Sequence, residues 1–75
     1  MPRYANQGGN SGVVSYEISP TSITVRFSDG SEYRYTEGSA GSANIRAMHG
    51  LARSGRGLNA FINTRAKYRY AARHR

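Results

Sequence analysis

The sequence predicts a small α+β domain: a three-stranded antiparallel β-meander followed by two short helices packed on one face of the sheet. Two observations lead to this prediction. Apolar and polar residues alternate between residues 13 and 36, as they do in half-buried strands, whereas apolar residues recur at helical spacing between residues 42 and 66. The chain of 75 residues lacks cysteine, so one domain must build its core without disulfides or thiolate metal sites.

The first half of the chain is predicted to form the meander. Residues 13–18 make the first strand, which ends at the turn signal of residues 19–21. Residues 23–27 alternate more regularly and make the second strand. Residues 32–36 make the third strand after a strong hairpin signal, so the three strands lie consecutively in one sheet.

The hairpin around Asp29-Gly30 admits two registers, which place its tyrosines on opposite faces. A two-residue loop pairs Val25 with Arg34, whereas a three-residue loop pairs Val25 with Tyr33. We favour the three-residue loop because it sets apolar residues opposite one another. It predicts that the rings of Tyr33 and Tyr35 lie mainly on the buried face.

The second half of the chain is predicted to form the two helices. Residues 38–41 have the composition of a flexible loop, and Ser42 is a suitable cap for the first helix. The glycine-containing turn at residues 54–57 ends that helix, and a shorter helix runs from Leu58 to near Ala66. Outside the domain, residues 1–12 are predicted to be a flexible N-terminal segment, and residues 71–75 a basic C-terminal tail.

Several short motifs follow one another in a defined order. They are Val14-x-Tyr16-Glu17, Ile23-x-Val25-x-Phe27, Gly30, Tyr33-Arg34-Tyr35, and Gly57-Leu58-Asn59 with Ile62. Over residues 13–70 this order resembles the KTSC domain, which is named after the C-terminus of some lysyl-tRNA synthetases and also occurs alone in bacterial proteins. The chain departs from the family pattern at Glu17, at Thr36-Glu37 and at Leu58. The resemblance implies an RNA-binding role.

Positive charge is concentrated in the second half of the chain. Residues 44–75 carry eight Lys and Arg and no Asp or Glu, whereas residues 1–43 carry three Arg and four acids, so the halves are +8 and −1 and sum to +7. Such asymmetry attracts polyanions. It predicts a nucleic-acid partner, which the resemblance implies is RNA more than DNA, and the alternative is a protein–protein adaptor that docks acidic partner surfaces.

The predicted nucleic-acid contacts are basic or aromatic residues of the second half. They are Arg46, Arg53, Arg56, Arg65, Lys67, Tyr68, Arg69 and Tyr70. Tyr33 and Tyr35 are possible base-stacking residues, with core packing as the alternative. The turn at residues 54–57 is a candidate anion site, with a plain helix–helix linker as the alternative.

No residue pattern indicates an enzyme. The only histidines are His49 and His74, and the four acids are scattered, so neither a nucleophile with its base nor a carboxylate pair is evident. No cluster of metal ligands occurs, and we expect no catalytic residues, metal or cofactor. No apolar run approaches the roughly 20 residues of a membrane span. We expect a monomeric cytoplasmic protein.

Overall fold

The computed structural model describes residues 3–5, 12–66 and 68–74. Within them, each strand is antiparallel to its neighbour, and the order in the sheet follows the chain: β1 (Val13–Ser19), β2 (Ser22–Phe27), β3 (Glu32–Thr36) and β4 (Ala72–His74). The helices lie between β3 and β4: α1 (Glu37–Ala40), α2 (Ser42–Ser54) and α3 (Leu58–Phe61), which continues into a π-helical turn (Ile62–Ala66). The α+β class is therefore confirmed.

The fourth strand corrects the prediction of three strands. Residues 72–74 fall in the predicted C-terminal tail, yet they pair with β3 and place Arg73 opposite Tyr33. The pairing begins where the N–H of Ala71 donates to the carbonyl oxygen of Arg34, 2.6 Å away. A strand of three residues is too short to show a recognisable alternation, so pattern alone could not identify it.

The favoured hairpin register is confirmed. Val25 lies opposite Tyr33, and Ile23 lies opposite Tyr35. Gly30 has a φ of 91°, a left-handed conformation that glycine adopts without a steric penalty, and it completes the three-residue loop. As a consequence Tyr35 is 1% exposed and belongs to the core, whereas Tyr33 is half-buried.

The core lies between the helices and one face of the sheet. On α2, Ile45, Met48 and Ala52 are buried at helical spacing, so one stripe of this helix faces inward. The largest fully buried side chains are Tyr35, Ile23, Ile45, Met48, Leu58 and Val25. The other face of the sheet is polar and carries the ion pair between Arg26 and Glu32. The domain thus has two layers, with one open sheet face.

A short helix replaces the flexible loop predicted at residues 38–41. The Oγ1 of Thr36 accepts from the N–H of Ser39 at 3.1 Å, and the Oγ of Ser39 accepts from the N–H of Thr36 at 3.0 Å. These reciprocal bonds form a capping box, which satisfies two backbone donors and stabilises α1. Ser42 was predicted to cap the first long helix, but it is instead the first residue of α2: Gly41 occupies the N-cap position and no side chain caps the helix.

Tyr4 is a core residue that lies outside the predicted domain bounds. It is 3% exposed, and its hydroxyl accepts from the N–H of Leu58 at 3.2 Å. Its own N–H donates to the carbonyl oxygen of Val14 at 2.9 Å, so this stretch runs beside β1. A single aromatic in a polar segment has no periodic signal, which is why the predicted flexible segment of residues 1–12 did not include this contact. Residues 6–11 lie outside the described residues.

Candidate nucleic-acid interface

The four predicted arginines that precede the C-terminal segment are all exposed. Arg46 and Arg53 are seven residues apart on α2, which places them on one face of the helix and about 10 Å apart along its axis. Arg56 follows in the turn after α2, and Arg65 lies on the π-helical turn. Among the described residues none of the four forms an ion pair with an acid, so their guanidinium groups are available to an external anion.

The turn between α2 and α3 contains two left-handed glycines. Gly55 and Gly57 have φ values of 79° and 85°. The N–H of Gly55 donates to the carbonyl oxygen of Leu51 at 3.1 Å, which closes the C-terminus of α2. The N–H of Leu58 donates to Tyr4. These two backbone donors are used within the fold and are not open to an anion.

His49 turns towards the sheet rather than towards the solvent. It is half-buried, and its Nε2 lies 2.8 Å from the carbonyl oxygen of Ser22, which can only accept, so Nε2–H is the donor. The imidazole thereby ties α2 to the start of β2. His49 is therefore not part of the exposed basic face of α2 that Arg46 and Arg53 form.

The C-terminal segment brings its predicted aromatic residues to the sheet. Tyr70 is half-buried, and its ring centroid lies 5.0 Å from that of Tyr33 at an interplanar angle of 76°. Tyr68 is 80% exposed, and Arg69 is also exposed. Lys67 lies outside the described residues. Tyr70 therefore serves in packing, while Tyr68 and Arg69 remain accessible.

Tyr33 is the centre of an aromatic cluster. Phe27 contacts its ring edge-on, with centroids 5.5 Å apart, and Tyr35 stacks at 6.5 Å. The guanidinium carbon of Arg73 lies 5.4 Å from the centroid of Tyr33, within the range of a cation–π contact. The sequence predicted Tyr33, Tyr35 and Tyr70 separately, and the structure brings them together. Arg73 was not among the predicted site residues.

An open cleft of about 410 Å³ lies over this cluster. Its volume is within the range of small-ligand sites. Aromatic rings form much of its wall, and carboxamides and a guanidinium add polar groups. The lining residues are Gly12, Phe27, Ser28, Asp29, Ser31, Tyr33, Tyr35, Asn59, Ile62, Asn63, Tyr68, Tyr70 and Arg73. The cleft thus combines stacking surfaces with hydrogen-bonding groups.

The buried phenol of Tyr35 adds no negative charge to the cleft. Burial raises the pKa of Tyr35 well above its ordinary value of 10.0, and the phenols of Tyr33 and Tyr70 raise it further. The phenol of Tyr35 therefore stays protonated far into the alkaline range. An anionic ligand near the cleft meets no repulsion from this buried group.

Within the described ranges, no three His, Cys, Asp or Glu side chains come together in a way that could hold a metal ion. No helix in the same ranges has the length and apolar character needed to cross a membrane. Comparisons with protein-family models, with curated proteins and with solved structures found no match. The resemblance to the KTSC domain therefore rests on the motifs quoted above and stays a prediction.

Proposed function

We propose that this domain is a small non-enzymatic module that binds nucleic acid, preferentially single-stranded RNA. The observation that carries the proposal is the combination of exposed, unpaired arginines with an open aromatic cleft in the same domain. Guanidinium groups bind phosphate oxygens in a bidentate manner, and aromatic faces stack on bases. The preference for RNA over DNA rests on the KTSC resemblance.

The cleft favours a single strand over a duplex. Aromatic side chains reach the faces of bases only where the bases are unstacked, whereas a duplex presents its phosphates and groove edges. The ring of Tyr68 is exposed beside the cleft, where an unpaired base can reach it. Affinity comes mainly from phosphates, so sequence preference is modest.

Salt dependence tests the proposal. With three to five phosphates neutralised, log K for a single strand falls with log salt at a slope of roughly −2 to −3.5. Fluorescence anisotropy with labelled single-stranded RNA, single-stranded DNA of the same sequence and duplex RNA measures this slope between about 50 and 200 mM salt. A flat plot, or no binding at low salt, contradicts the proposal.

A competition experiment separates this function from the adaptor alternative, since both are electrostatic. We expect single-stranded RNA to displace any acidic protein that the domain retains in a pull-down. An acidic partner that stays bound against excess RNA, together with weak RNA binding, would favour the adaptor.

A further inference from the structure

We infer that the cleft over Tyr33 is a base pocket that takes one unpaired adenine of the bound strand. This inference rests on the proposed function and adds to it a ligand class and the residues that select it. The cleft offers a stacking surface, a hydrogen-bonding edge and a size that matches one nucleotide.

Tyr68 provides the stacking surface. It is 80% exposed, and the only other large hydrophobic residue that is exposed in the described part of the chain is Val14. Tyr68 lines the cleft together with Tyr33 and Tyr70, whose rings already pack edge to face. A base in the cleft removes the ring of Tyr68 from water, and the two-ring system of a purine covers more of it than a pyrimidine does.

Two carboxamides provide the hydrogen-bonding edge. Asn59 and Asn63 both line the cleft, and no hydrogen bond within the described residues engages either side chain. An asparagine carboxamide donates to N7 of adenine and accepts from its N6 amino group, so one side chain reads both positions. These amides therefore match the major-groove edge of an unpaired adenine.

The two charged groups that line the cleft make contacts within the fold. Arginine pairs with guanine and aspartate accepts from cytosine. Arg73 packs against the ring of Tyr33. The Oδ1 of Asp29 accepts from the N–H of Ser31 at 2.9 Å and from its hydroxyl at 2.6 Å. Asp29 is thus held by the hairpin turn, whereas the two carboxamides have no hydrogen bond within the described residues and can read the base.

The size of the cleft matches one nucleotide. A volume of about 410 Å³ lies at the lower end of the range for small-ligand sites, which is roughly 300 to 1,000 Å³. A single base with its ribose fits this space. The phosphates on either side of that nucleotide then remain outside the cleft.

Short homopolymers of A, C and U, compared by fluorescence anisotropy, test this inference. We expect the wild-type protein to bind oligo(A) most tightly. Tyr68→Ala should weaken oligo(A) binding by about 5- to 100-fold, because one base loses its stacking partner. Tyr68→Phe keeps the ring and should bind as the wild type does. Since Tyr68 is exposed, both variants are expected to fold.

A second pair of variants tests the reading of the base edge. Asn63→Ala should reduce the preference for A over C by about tenfold, with the salt slope unchanged. Thr64→Ala is the matched control. Thr64 is also exposed, but its hydroxyl donates to the carbonyl oxygen of Ala60 and it does not line the cleft. We expect this control to keep the wild-type preference.

The outcomes separate the two proposals. If the wild-type protein binds no homopolymer at low salt, the proposed function fails. If it binds all three equally and with a steep salt slope, or if Tyr68→Ala binds oligo(A) as tightly as the wild type, nucleic-acid binding stands and the adenine pocket is overturned.

Discussion

Replacing Arg53 by alanine should weaken RNA binding, whereas replacing Arg34 should leave it nearly unchanged. Each substitution removes one positive charge from an exposed position, so the net charge of the two variants is the same. The two arginines lie in different parts of the fold. Arg53 is in the last turn of α2, and Arg34 projects from the open face of the sheet, away from the core. A difference in RNA binding between the two variants therefore reports the position of the lost arginine and not the net charge.

The expected magnitude follows from the number of phosphates lost. Each phosphate contact with a single strand contributes about −0.7 to the slope of log K against log salt, so Arg53→Ala should flatten the slope by about 0.7. Adding Arg56→Ala should flatten it by about 1.4 in total. A charge that does not contact the RNA acts on it only through an electrostatic field, which salt screens within about 8 to 10 Å. Arg34→Ala should accordingly leave the slope intact.

Stability should change little in these variants. Arg53 is exposed, and a cation in the last helical turn contributes about 0.3 to 1 kcal/mol by interacting with the helix dipole. Thermal melts by circular dichroism check that each variant is folded, and anisotropy at several salt concentrations gives the slopes. Equal flattening by Arg34→Ala and Arg53→Ala would refute a localised arginine surface and indicate binding through net charge alone.

Four further predictions concern stability. Gly50→Ala should stabilise the protein by up to about 1 kcal/mol, because the residue is helical and a Cβ there meets no atom within 4 Å. Gly57→Ala should instead lower the free energy of unfolding by about 1 to 2 kcal/mol, because φ is +85° and the added Cβ would lie 3.2 Å from a side-chain carbon of α2. Urea denaturation measures the change in both glycine variants. Changes of the same sign in the two variants would contradict this reasoning. Because burial raises the pKa of Tyr35, the unfolded phenol ionises first, and stability should fall above about pH 10 by up to about 1.4 kcal/mol per pH unit. Tyr35→Phe should remove that part of the alkaline loss, and an unchanged pH profile would argue against the buried phenol. Tyr4→Phe should cost about 1 to 3 kcal/mol in the same denaturation assay, because the N–H of Leu58 loses its acceptor; an unaltered midpoint would show that the bond contributes nothing.

The β-meander could be predicted from the sequence because the patterns that specify it lie within short stretches of the chain. Strands of five to seven residues alternate visibly, and the pairing of Val25 with Tyr33 follows from matching apolar residues across a short loop. The missed elements lack such information. Strand β4 has three residues, and Tyr4 is an isolated aromatic whose partner Leu58 is distant in sequence. Contacts of this kind are decided by the assembled core, not by a local pattern.

The sequence predicted individual residues of the candidate site but not that they lie together in one cleft. Tyr68 and Tyr70 stood out because they interleave with cations, and Tyr33 stood out as a possible stacking residue. Their meeting in one cleft depends on the pairing of β3 with β4, which no pattern near either strand reveals. Arg73 was missed for the same reason, since only the strand register places it over the ring of Tyr33.

The pairing of β4 with β3 gives part of the basic C-terminal segment a fixed position on the sheet. If the residues after α3 trailed from the domain, their charge would surround it diffusely, and Tyr33 would lose the ring of Tyr70 and the guanidinium of Arg73 that now contact it. Pairing with β3 instead fixes this acid-free segment as a wall of the cleft. A ligand that occupies the cleft contacts the wall only while β4 is paired. Its binding must therefore stabilise the paired state, by an amount that grows with the logarithm of the ligand concentration once this exceeds Kd.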